Sequence, residues 1–258
     1  MNCEFPAAEM PEAGKIHLWW VDLDAQAGGA AACEPEAFLS TEEHERADRF
    51  RFARDASRFR LCRAMLRLAL GWYLGRDPRE IELSTGPFGK PYLASEAGLF
   101  FNLAHCDGLG VIAFSTLGEV GVDVEAAHRT IEAMEIASAF FTAREAKSIA
   151  EAGEARNAAF LRIWTRKEAV LKAVGCGLQQ SLDSLDVTQD LVSMNASATG
   201  VTQWRVLDLT PKEGFAAAIA AAPGAWSVTP WHVSWEDAVA RVAARILGKP
   251  PGALQVAG

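Results

Sequence analysis

The chain has 258 residues, of which 50% are hydrophobic and 22% are charged, with 11 prolines and 21 glycines. This composition is typical of a folded globular protein, and it excludes the disordered, collagen-like and low-complexity classes. The 33 acidic and 25 basic residues give a net charge of −8, which argues against broad binding to nucleic acid or to an anionic membrane surface.

The cysteines and the apolar segments indicate the cellular compartment of the protein. The five cysteines are Cys3, Cys33, Cys62, Cys106 and Cys176. Their odd number and the lack of a C-x-x-C pair are typical of reduced thiols rather than of disulfides or a zinc site. We expect no signal peptide, because the first eleven residues carry Glu4 and Glu9 and no long apolar stretch. The longest apolar run, Phe215–Ala222, is too short to span a bilayer, so we expect a soluble cytoplasmic protein.

The first half of the chain predicts a strand, two helices and then further strands. We expect the first strand at Ile16–Leu23. Ser40 and Glu43 have the spacing of a capping box and predict the start of a helix. A second helix is predicted over Asp55–Leu74, where apolar side chains recur every three or four residues, and it should stop at Gly75 and Pro78. Strands are then predicted at Ile81–Ser84, Leu99–His105 and Leu109–Ser115.

The second half predicts the same order of elements. A strand is expected at Glu119–Glu125, followed by a helix over Ile131–Phe140 and another that begins at the capping box Thr142–Glu145. A longer helix is expected over Arg156–Val174, ended by Gly175 and Gly177. The remaining predicted elements are strands at Leu185–Thr188, Thr202–Leu209, Phe215–Ala221 and Trp226–Val233, and a final helix from Ser234 to about Leu247.

This order of elements predicts the fold class and the division of the chain. Strands and helices are grouped rather than strictly alternating, which favours an α+β fold over a doubly wound sheet. We expect an N-terminal half over residues 1–118, a C-terminal half over 119–235, and a helix with a tail over 236–258 that packs on the second half.

Two acidic residues alternate with valines in the segment Gly121–Glu125. Side chains two residues apart on a strand point to the same side, so Val122 and Val124 should face the core while Asp123 and Glu125 project together from the other face. Two neighbouring carboxylates suit a hard cation such as Mg²⁺. The alternative is a half-buried strand whose acidic face is in water.

A polar stripe is predicted on the long helix of the second half. Trp164, Glu168 and Lys172 are spaced four residues apart and therefore lie on one helix face. One interpretation is an exposed Glu–Lys pair of little energetic consequence. The other makes Glu168 a third carboxylate beside the strand pair, with Lys172 facing an anion.

Basic residues are concentrated in the first half. The segment 46–67 contains eight arginines: Arg46, Arg49, Arg51, Arg54, Arg58, Arg60, Arg63 and Arg67. They form either a solvated helix face or an anion site, to which Lys90 and His105 are further candidates. The match of Gly108–Ala113 to G-x-G-x-x-A lies before strand-like sequence, so it does not indicate a dinucleotide site.

Read in order, four segments of the chain resemble the Sfp-type 4′-phosphopantetheinyl transferases. They are Phe88–Pro91 (FGKP), Phe101–His105 (FNLAH), Gly121–Glu125 (GVDVE) and Trp164–Lys172 (WTRKEAVLK). Each motif alone is weak, but their order and separations match the family over residues 15–235. The resemblance implies two similar α+β halves related by a pseudo-twofold axis. It also implies transfer of phosphopantetheine from coenzyme A to a serine of an apo carrier protein, with release of 3′,5′-ADP.

The resemblance also implies roles for individual residues. The implied Mg²⁺ ligands, acting together with the pyrophosphate of coenzyme A, are Asp123, Glu125 and Glu168. Glu168 would be the base for the carrier serine, and Lys172 would stabilise or protonate the departing phosphate. The implied nucleotide contacts are Lys90 and Pro91 beside the adenine nucleotide, and Arg46, Arg58 and His105 on its phosphates. A cleft completed within one chain implies a monomer, with no nucleic-acid or membrane partner.

Two positions depart from the family pattern: Ala104 replaces a serine, and Glu43 stands where a basic residue is common. Both departures are at positions that the resemblance assigns to binding of the nucleotide phosphates. Because carrier proteins are generally acidic, exposed arginines of 46–67 are also candidates for docking the acceptor. Two other functions stay open at this point: a non-catalytic module that binds coenzyme A or a carrier protein, and a Mg²⁺-dependent phosphohydrolase that uses water in place of the serine.

Overall fold

The computed structural model describes residues 5–6, 8–25, 33–93, 98–129, 131–176, 180–196 and 200–247. The strands are β1 (Lys15–Asp22), β2 (Leu83–Thr85), β3 (Pro91–Leu93), β4 (Phe100–Cys106), β5 (Leu109–Ser115), β6 (Val120–Ala126), β7 (Leu191–Ala196), β8 (Gly200–Leu209), β9 (Phe215–Ala221) and β10 (Ser227–His232). The helices are α1 (Thr41–Asp48), α2 (Ala53–Leu74), α3 (Ala133–Phe140), α4 (Ala143–Glu151), α5 (Arg156–Val174) and α6 (Trp235–Leu247).

Two four-stranded sheets and a small hairpin make up the β-structure. The first sheet has the order β10–β1–β5–β4, the second sheet has the order β6–β9–β8–β7, and β2 pairs with β3. The two halves follow the same order along the chain: a strand, a long helix, and a hairpin whose second strand pairs with the first strand. In the first half these elements are β1, α2, β4 and β5, and in the second half they are β6, α5, β8 and β9. The predicted α+β class is confirmed, and the two halves share one connectivity.

The sheets pack face to face, with helices outside them. Alternation along β1 sends Leu18 and Trp20 toward the second sheet, while Trp19 faces α2. The apolar side chains between the sheets form what we call the shared core, which includes Leu18, Trp20, Val111, Val122, Val124 and Ile219. Burying each such side chain contributes about 1.5–3 kcal/mol. The layers are therefore helix, sheet, sheet and helix.

Local sequence signals set most of the helix ends. Ser40 with Glu43, and Thr142 with Glu145, each form the reciprocal bonds of a capping box, as predicted. Both long helices end at a left-handed glycine: α2 at Gly75 with φ 66°, and α5 at Gly175 with φ 75°. Gly177, the second predicted stop signal, lies outside the described residues.

The segment 185–188 was wrongly predicted to be a strand. Its backbone groups are bonded instead by buried side chains: Lys167 donates to the carbonyl of Leu185, and Arg166 donates to that of Val187 at 2.8 Å. Glu145 accepts the Val187 N–H at 2.9 Å. These bonds remove the need for a strand partner. Strand β7, which the sequence reading missed, begins a few residues later and pairs with β8.

The end of the described chain belongs to the first sheet rather than to the second. β10 pairs in parallel with β1, whose edge opposite β5 is otherwise open. Helix α6 packs on α2 through side chains of the core beneath the first sheet, among them Ala238 and Val242. The expectation that the segment after residue 235 packs on the second half was therefore wrong for α6, and residues 248–258 lie outside the described residues. The predicted boundary at 235 does not follow the sheets, because β10 comes before it and pairs with β1. No helix in the described ranges has the length and apolarity to cross a membrane.

Candidate active site

Strand β6 presents two faces of different chemistry. Val122 and Val124 lie in the shared core, as predicted, and the alternate residues face α5. Asp123 is only 5% exposed, so this acidic face is covered by the helix rather than by water. Gly121 allows this close packing, because a Cβ there would overlap backbone atoms of α5. The strand and the helix are thus held against each other where the carboxylates lie.

The stripe predicted on α5 reaches this acidic face. Lys172 Nζ donates to Asp123 Oδ1 at 2.6 Å. Asp123 Oδ2 and Glu168 Oε1 are buried and have no hydrogen-bond partner in the described part of the chain. Unpaired buried carboxylate oxygens are costly, so this arrangement favours the uptake of a cation or a proton.

The pKa shifts of Asp123 and Glu168 also favour the uptake of a cation or a proton. Burial raises the pKa of Asp123 to about 6, against the opposing pull of Lys172, and the charges of Glu125 and Glu168 add to the rise. Burial also raises the pKa of Glu168, which Lys172 lowers and Glu125 raises further. The three carboxylates therefore lie within electrostatic range of one another.

Glu125 lies at the open side of this group. Its Oε2 accepts a bond from Cys106 Sγ at 3.3 Å and one from Arg129 at 3.4 Å. Across the described ranges, no three His, Cys, Asp or Glu side chains form a ready-made metal cage. The oxygen donors and the two unpartnered atoms still fit Mg²⁺, because this ion keeps several ligand positions for water or phosphate oxygens.

A cavity of about 170 Å³ lies between the halves. Its lining residues are Phe88, Gly89, Lys90, Pro91, Asn102 and Leu103 from the first half, and Leu171, Lys172 and Gly175 from the second. Lys90 Nζ donates to the carbonyls of Val120 and Ala173, both at 3.2 Å, and pairs with Glu119. Burial lowers the pKa of Lys90, against the pull of Glu119. Lys90 thus joins the halves at the wall of this cavity, with Pro91 beside it.

His105 is exposed on β4 and lies within electrostatic range of charged residues from both halves. Partial removal of its ring from bulk water lowers the pKa of His105, and the positive charges of Lys172, Arg46 and Arg58 lower it further. The structure therefore brings together three residues expected at the nucleotide phosphates and the lysine expected at the leaving group. Lys172 and Arg58 are paired with carboxylates, whereas Arg46 is exposed and has no carboxylate within 4.0 Å in the described residues, so Arg46 is the cation of this group most available to an anionic ligand.

Arg58 is paired with carboxylates that the sequence did not indicate. Its side chain is buried and donates to both oxygens of Asp24, at 2.7 and 2.5 Å. Asp107 lies 3.8 Å from Arg58, and Asp55 lies 4.0 Å away. The sequence reading missed Asp24 and Asp107, because only the tertiary fold brings the end of β1 and the β4–β5 turn to α2.

The acid at position 43 has a structural role. Glu43 is buried, completes the capping box of α1, and accepts bonds from Arg63 at 2.8 Å and Arg67 at 2.6 Å. Arg67 also donates to the carbonyl of Ile81 at 2.8 Å. Glu43 therefore balances two arginines of α2 within the first half.

An apolar groove of about 420 Å³ begins beside Glu125. Its lining residues are Glu125, Arg129, Ile131, Ile136, Phe160, Leu161 and Trp164. The rings of Phe160 and Trp164, four residues apart on α5, stack with centroids 6.0 Å apart. The sequence reading placed Trp164 on the stripe but missed this groove, which we call the Trp164 groove. The spacing of the two aromatic residues was the available signal.

Comparison with known proteins gives two family matches that together span most of the chain. Residues 32–117 match the model "4′-phosphopantetheinyl transferase, N-terminal", and residues 119–220 match the "4′-phosphopantetheinyl transferase superfamily". The boundary between the two matches falls just before β6, where the second sheet begins.

Individual relatives carry the same name. The chain is 33% identical over 222 residues to the 4′-phosphopantetheinyl transferase HetI of Nostoc sp., covering 84% of this chain and 92% of that protein. It is 30% identical to the 4′-phosphopantetheinyl transferase Sfp of Bacillus subtilis, over 58% of this chain and 66% of the relative. A solved holo-[acyl-carrier-protein] synthase of Thermotoga maritima is 19% identical, covers 40% of this chain and 61% of its own, and superposes with a TM-score of 0.29, too low to carry an argument. The resemblance read from the four motifs is confirmed: the chain belongs to the 4′-phosphopantetheinyl transferase superfamily of enzymes.

Proposed function

We propose that this enzyme transfers 4′-phosphopantetheine from coenzyme A to a serine of an apo acyl or peptidyl carrier protein. The reaction would be Mg²⁺-dependent and would release adenosine 3′,5′-bisphosphate. The observation that carries the proposal is the meeting of β6 and α5, where Lys172 pairs with the buried Asp123 and the charges of Glu125 and Glu168 act on the same group. A pure binding module would not need this combination.

Coenzyme A would lie across the cleft between the halves. The cavity beside Lys90 and Pro91 suits the adenine nucleotide, and the cations around His105 suit its phosphates. Arg46 and His105 would make those phosphate contacts, whereas Arg58, held by Asp24, would act by positioning. The pantetheine arm is extended and carries methyl and methylene groups between its two amides, and it suits the Trp164 groove, which has apolar walls and the polar side chains of Glu125 and Arg129 at one end.

The proposed ligands of Mg²⁺ are Asp123, Glu125 and Glu168, together with pyrophosphate oxygens of coenzyme A. When bound, Mg²⁺ would supply positive charge that neutralises the pyrophosphate and the leaving group. In the structure Lys172 supplies positive charge to Asp123. The site is thus built around carboxylates that need a cationic partner.

The chemistry follows from the positions of Glu168 and Lys172. The serine Oγ would form a bond to the pantetheine-bearing phosphorus, and the bond from that phosphorus to the oxygen of adenosine 3′,5′-bisphosphate would break. Glu168 would take the serine proton, since its carboxylate is part of the same group as Asp123 and Lys172. Lys172 would stabilise or protonate the departing phosphate.

Intact mass spectrometry of an apo carrier protein tests the proposal. The enzyme is incubated with the carrier, coenzyme A and Mg²⁺, with EDTA in a parallel sample. The expected result is a metal-dependent gain of one phosphopantetheine on the carrier serine. Coenzyme A binding without any gain would favour the binding module, and release of 3′,5′-bisphosphate without a carrier would favour the phosphohydrolase.

We further propose that the enzyme acts as a monomer in the cytoplasm. Both walls of the cleft come from one chain, since Lys90 of the first half and Leu171 of the second line the same cavity. Coenzyme A, the proposed co-substrate, is an intracellular metabolite. Sedimentation of the purified enzyme, with and without coenzyme A, checks the oligomeric state.

A further inference from the structure

Seven of the eight arginines of residues 46–67 fall into two groups, and the eighth, Arg46, lies in the last turn of α1. Four of them, Arg58, Arg60, Arg63 and Arg67, lie along α2 and pair with carboxylates of the first half. Those pairs connect α2 to Asp24, Asp48 and Glu43. These arginines are accounted for by the fold itself.

The other group lies at the turn between α1 and α2. We call residues 49–54 (RFRFAR) the arginine loop. Arg49, Arg51 and Arg54 are exposed, and none of them has a carboxylate partner within 4.0 Å in the described part of the chain. Phe50 and Phe52, which alternate with them, are 37% and 58% exposed. The loop therefore presents a basic and aromatic surface on a protein whose net charge is −8.

Contacts within the fold account for part of this surface, since Arg49 Nε donates to the Glu45 carbonyl at 3.1 Å and the centroid of the Phe50 ring lies 5.3 Å from that of Phe59. Arg54 lies in the first turn of α2, where the helix dipole disfavours a positive charge. The Arg51 guanidinium lies 5.3 Å from the centroid of the exposed Phe52 ring, a contact that leaves its charge available to a partner. Exposed arginines beside the exposed ring of Phe52 form a surface that points to a binding role.

The arginine loop lies close to the cleft. It follows directly after α1, whose last turn carries Arg46. One helical turn after Arg54, the Arg58 guanidinium lies 3.8 Å from Asp107. Asp107 also pairs with Arg129 at 3.2 Å, and Arg129 pairs with Glu125 of the proposed metal site at 3.4 Å. A macromolecule bound at the loop would therefore lie near the proposed site of transfer.

We propose that the arginine loop docks the acidic face of the acceptor carrier protein. This inference rests on the proposed function and adds the location of the acceptor. The three arginines complement carboxylates on the partner, and Phe50 and Phe52 offer apolar contacts between them. An acidic protein is favoured over a membrane or nucleic acid, because the remainder of this chain is acidic and would repel an extended anionic surface.

The test is a triple charge reversal, Arg49→Glu with Arg51→Glu and Arg54→Glu. Steady-state transfer is measured with the carrier varied at saturating coenzyme A, and with coenzyme A varied at saturating carrier. We expect the KM for the carrier to rise about tenfold or more, with the KM for coenzyme A and kcat within about twofold of wild type. Phe52→Ser is expected to raise the KM for the carrier alone by a few-fold.

The matched control reverses three exposed cations of the second half, with Arg144→Glu, Lys147→Glu and Arg156→Glu. It makes the same change in net charge and should leave the KM for the carrier within about twofold. If the triple variant is poorly folded by circular dichroism, the single variant Arg51→Glu replaces it.

Three results would overturn the docking site. The first is an equal rise of both KM values, which would place the loop on coenzyme A. The second is an equal effect of the control. The third is an unchanged KM for the carrier in the triple variant, together with loss of binding to phosphatidylserine vesicles that wild type and the control retain. That result would assign the loop to an anionic membrane surface. Failure of the proposed function is distinct, since wild-type enzyme would then produce no holo carrier at all.

Discussion

Glu168 combines features that a catalytic carboxylate needs and a surface pair does not. One of its oxygens is buried without a partner, its pKa is raised, and Lys172 follows one helical turn later. For Glu168→Gln we predict that transfer to the carrier falls at least about 10³-fold, because the base and one proposed metal ligand are both removed. Intact mass spectrometry over a time course measures the rate.

The control for that substitution is Glu135→Gln, an exposed site on α3. It makes the same chemical change and should leave the transfer rate within about twofold. The melting temperature of Glu168→Gln should be unchanged or slightly higher, since a buried carboxylate is replaced by a neutral group. Turnover close to that of wild type would refute the role of Glu168.

The roles of Arg58 and Arg46 can be distinguished with 3′-dephospho-coenzyme A, which lacks one phosphate of coenzyme A. Because Asp24 already holds Arg58 through two bonds, we predict that Arg58→Gln lowers kcat/KM by a similar factor for coenzyme A and for 3′-dephospho-coenzyme A. Arg46→Gln should instead lower the preference for coenzyme A over the dephospho form by about tenfold, if Arg46 binds the 3′-phosphate. A loss of that preference in Arg58→Gln would show that Arg58 leaves Asp24 to bind phosphate.

His17 makes folding stability depend on pH. Burial lowers the pKa of His17 to about 4 from 6.5, and its Nδ1 lies 2.9 Å from the hydroxyl of Tyr73, which accepts a bond from Trp19. The unfolded chain therefore takes up a proton below pH 6.5 that the folded chain does not, and stability is lost as the pH falls from about 6.5 toward 4.

Comparison with His17→Gln isolates this effect. Between pH 7.5 and pH 5, wild type should lose about 2 kcal/mol of unfolding free energy more than the variant, which lacks this titration. Urea unfolding at the two pH values measures the difference. Equal losses in both proteins would show that His17 is not the group responsible.

At the scale of elements, the site depends on how closely α5 lies on β6. Gly121 is the point of contact, because a Cβ there would overlap the Ala169 carbonyl oxygen and the backbone nitrogen of Ala173. We predict that Gly121→Ala destabilises the protein by about 3 kcal/mol and lowers transfer sharply, since α5 must move and carry Glu168 and Lys172 away from Asp123. Gly86→Ala, whose Cβ would meet nothing nearer than 3.5 Å, is the control and should cost less than about 1 kcal/mol. Denaturant unfolding compares the two, and equal costs would contradict the packing argument.

The elements themselves followed mostly from local sequence. The two capping boxes and the glycines at the ends of α2 and α5 act within one turn of chain, so they could be read without tertiary information. Segment 185–188 has strand-like composition, but its backbone bonds go to Lys167, Arg166 and Glu145. Side chains distant in sequence decided that outcome, and no local pattern shows them.

At the scale of the whole molecule, the shared core makes the two halves one folding unit. Val122 and Ile219 of the second sheet belong to the same buried core as Leu18 of the first, so neither sheet keeps its inner face buried alone. We predict a single calorimetric transition with a van't Hoff enthalpy equal to the calorimetric one. Ile219→Ala should lower stability by about 3 kcal/mol without splitting that transition. Two resolved transitions in differential scanning calorimetry would contradict the shared core.

The sequence by itself determined the family, the α+β class and the residues of the β6 and α5 motifs, because alternation on a strand and periodicity on a helix are local properties. Only the tertiary structure decided that these motifs meet: Lys172 reaches Asp123 across 49 positions, and Lys90 reaches the end of α5 across 83. It also decided which arginines pair with carboxylates and which face water. It placed β10 beside β1 in the first sheet and packed α6 on α2. Such contacts depend on which surfaces the packed layers bring together, and that is a property of the complete fold rather than of any segment.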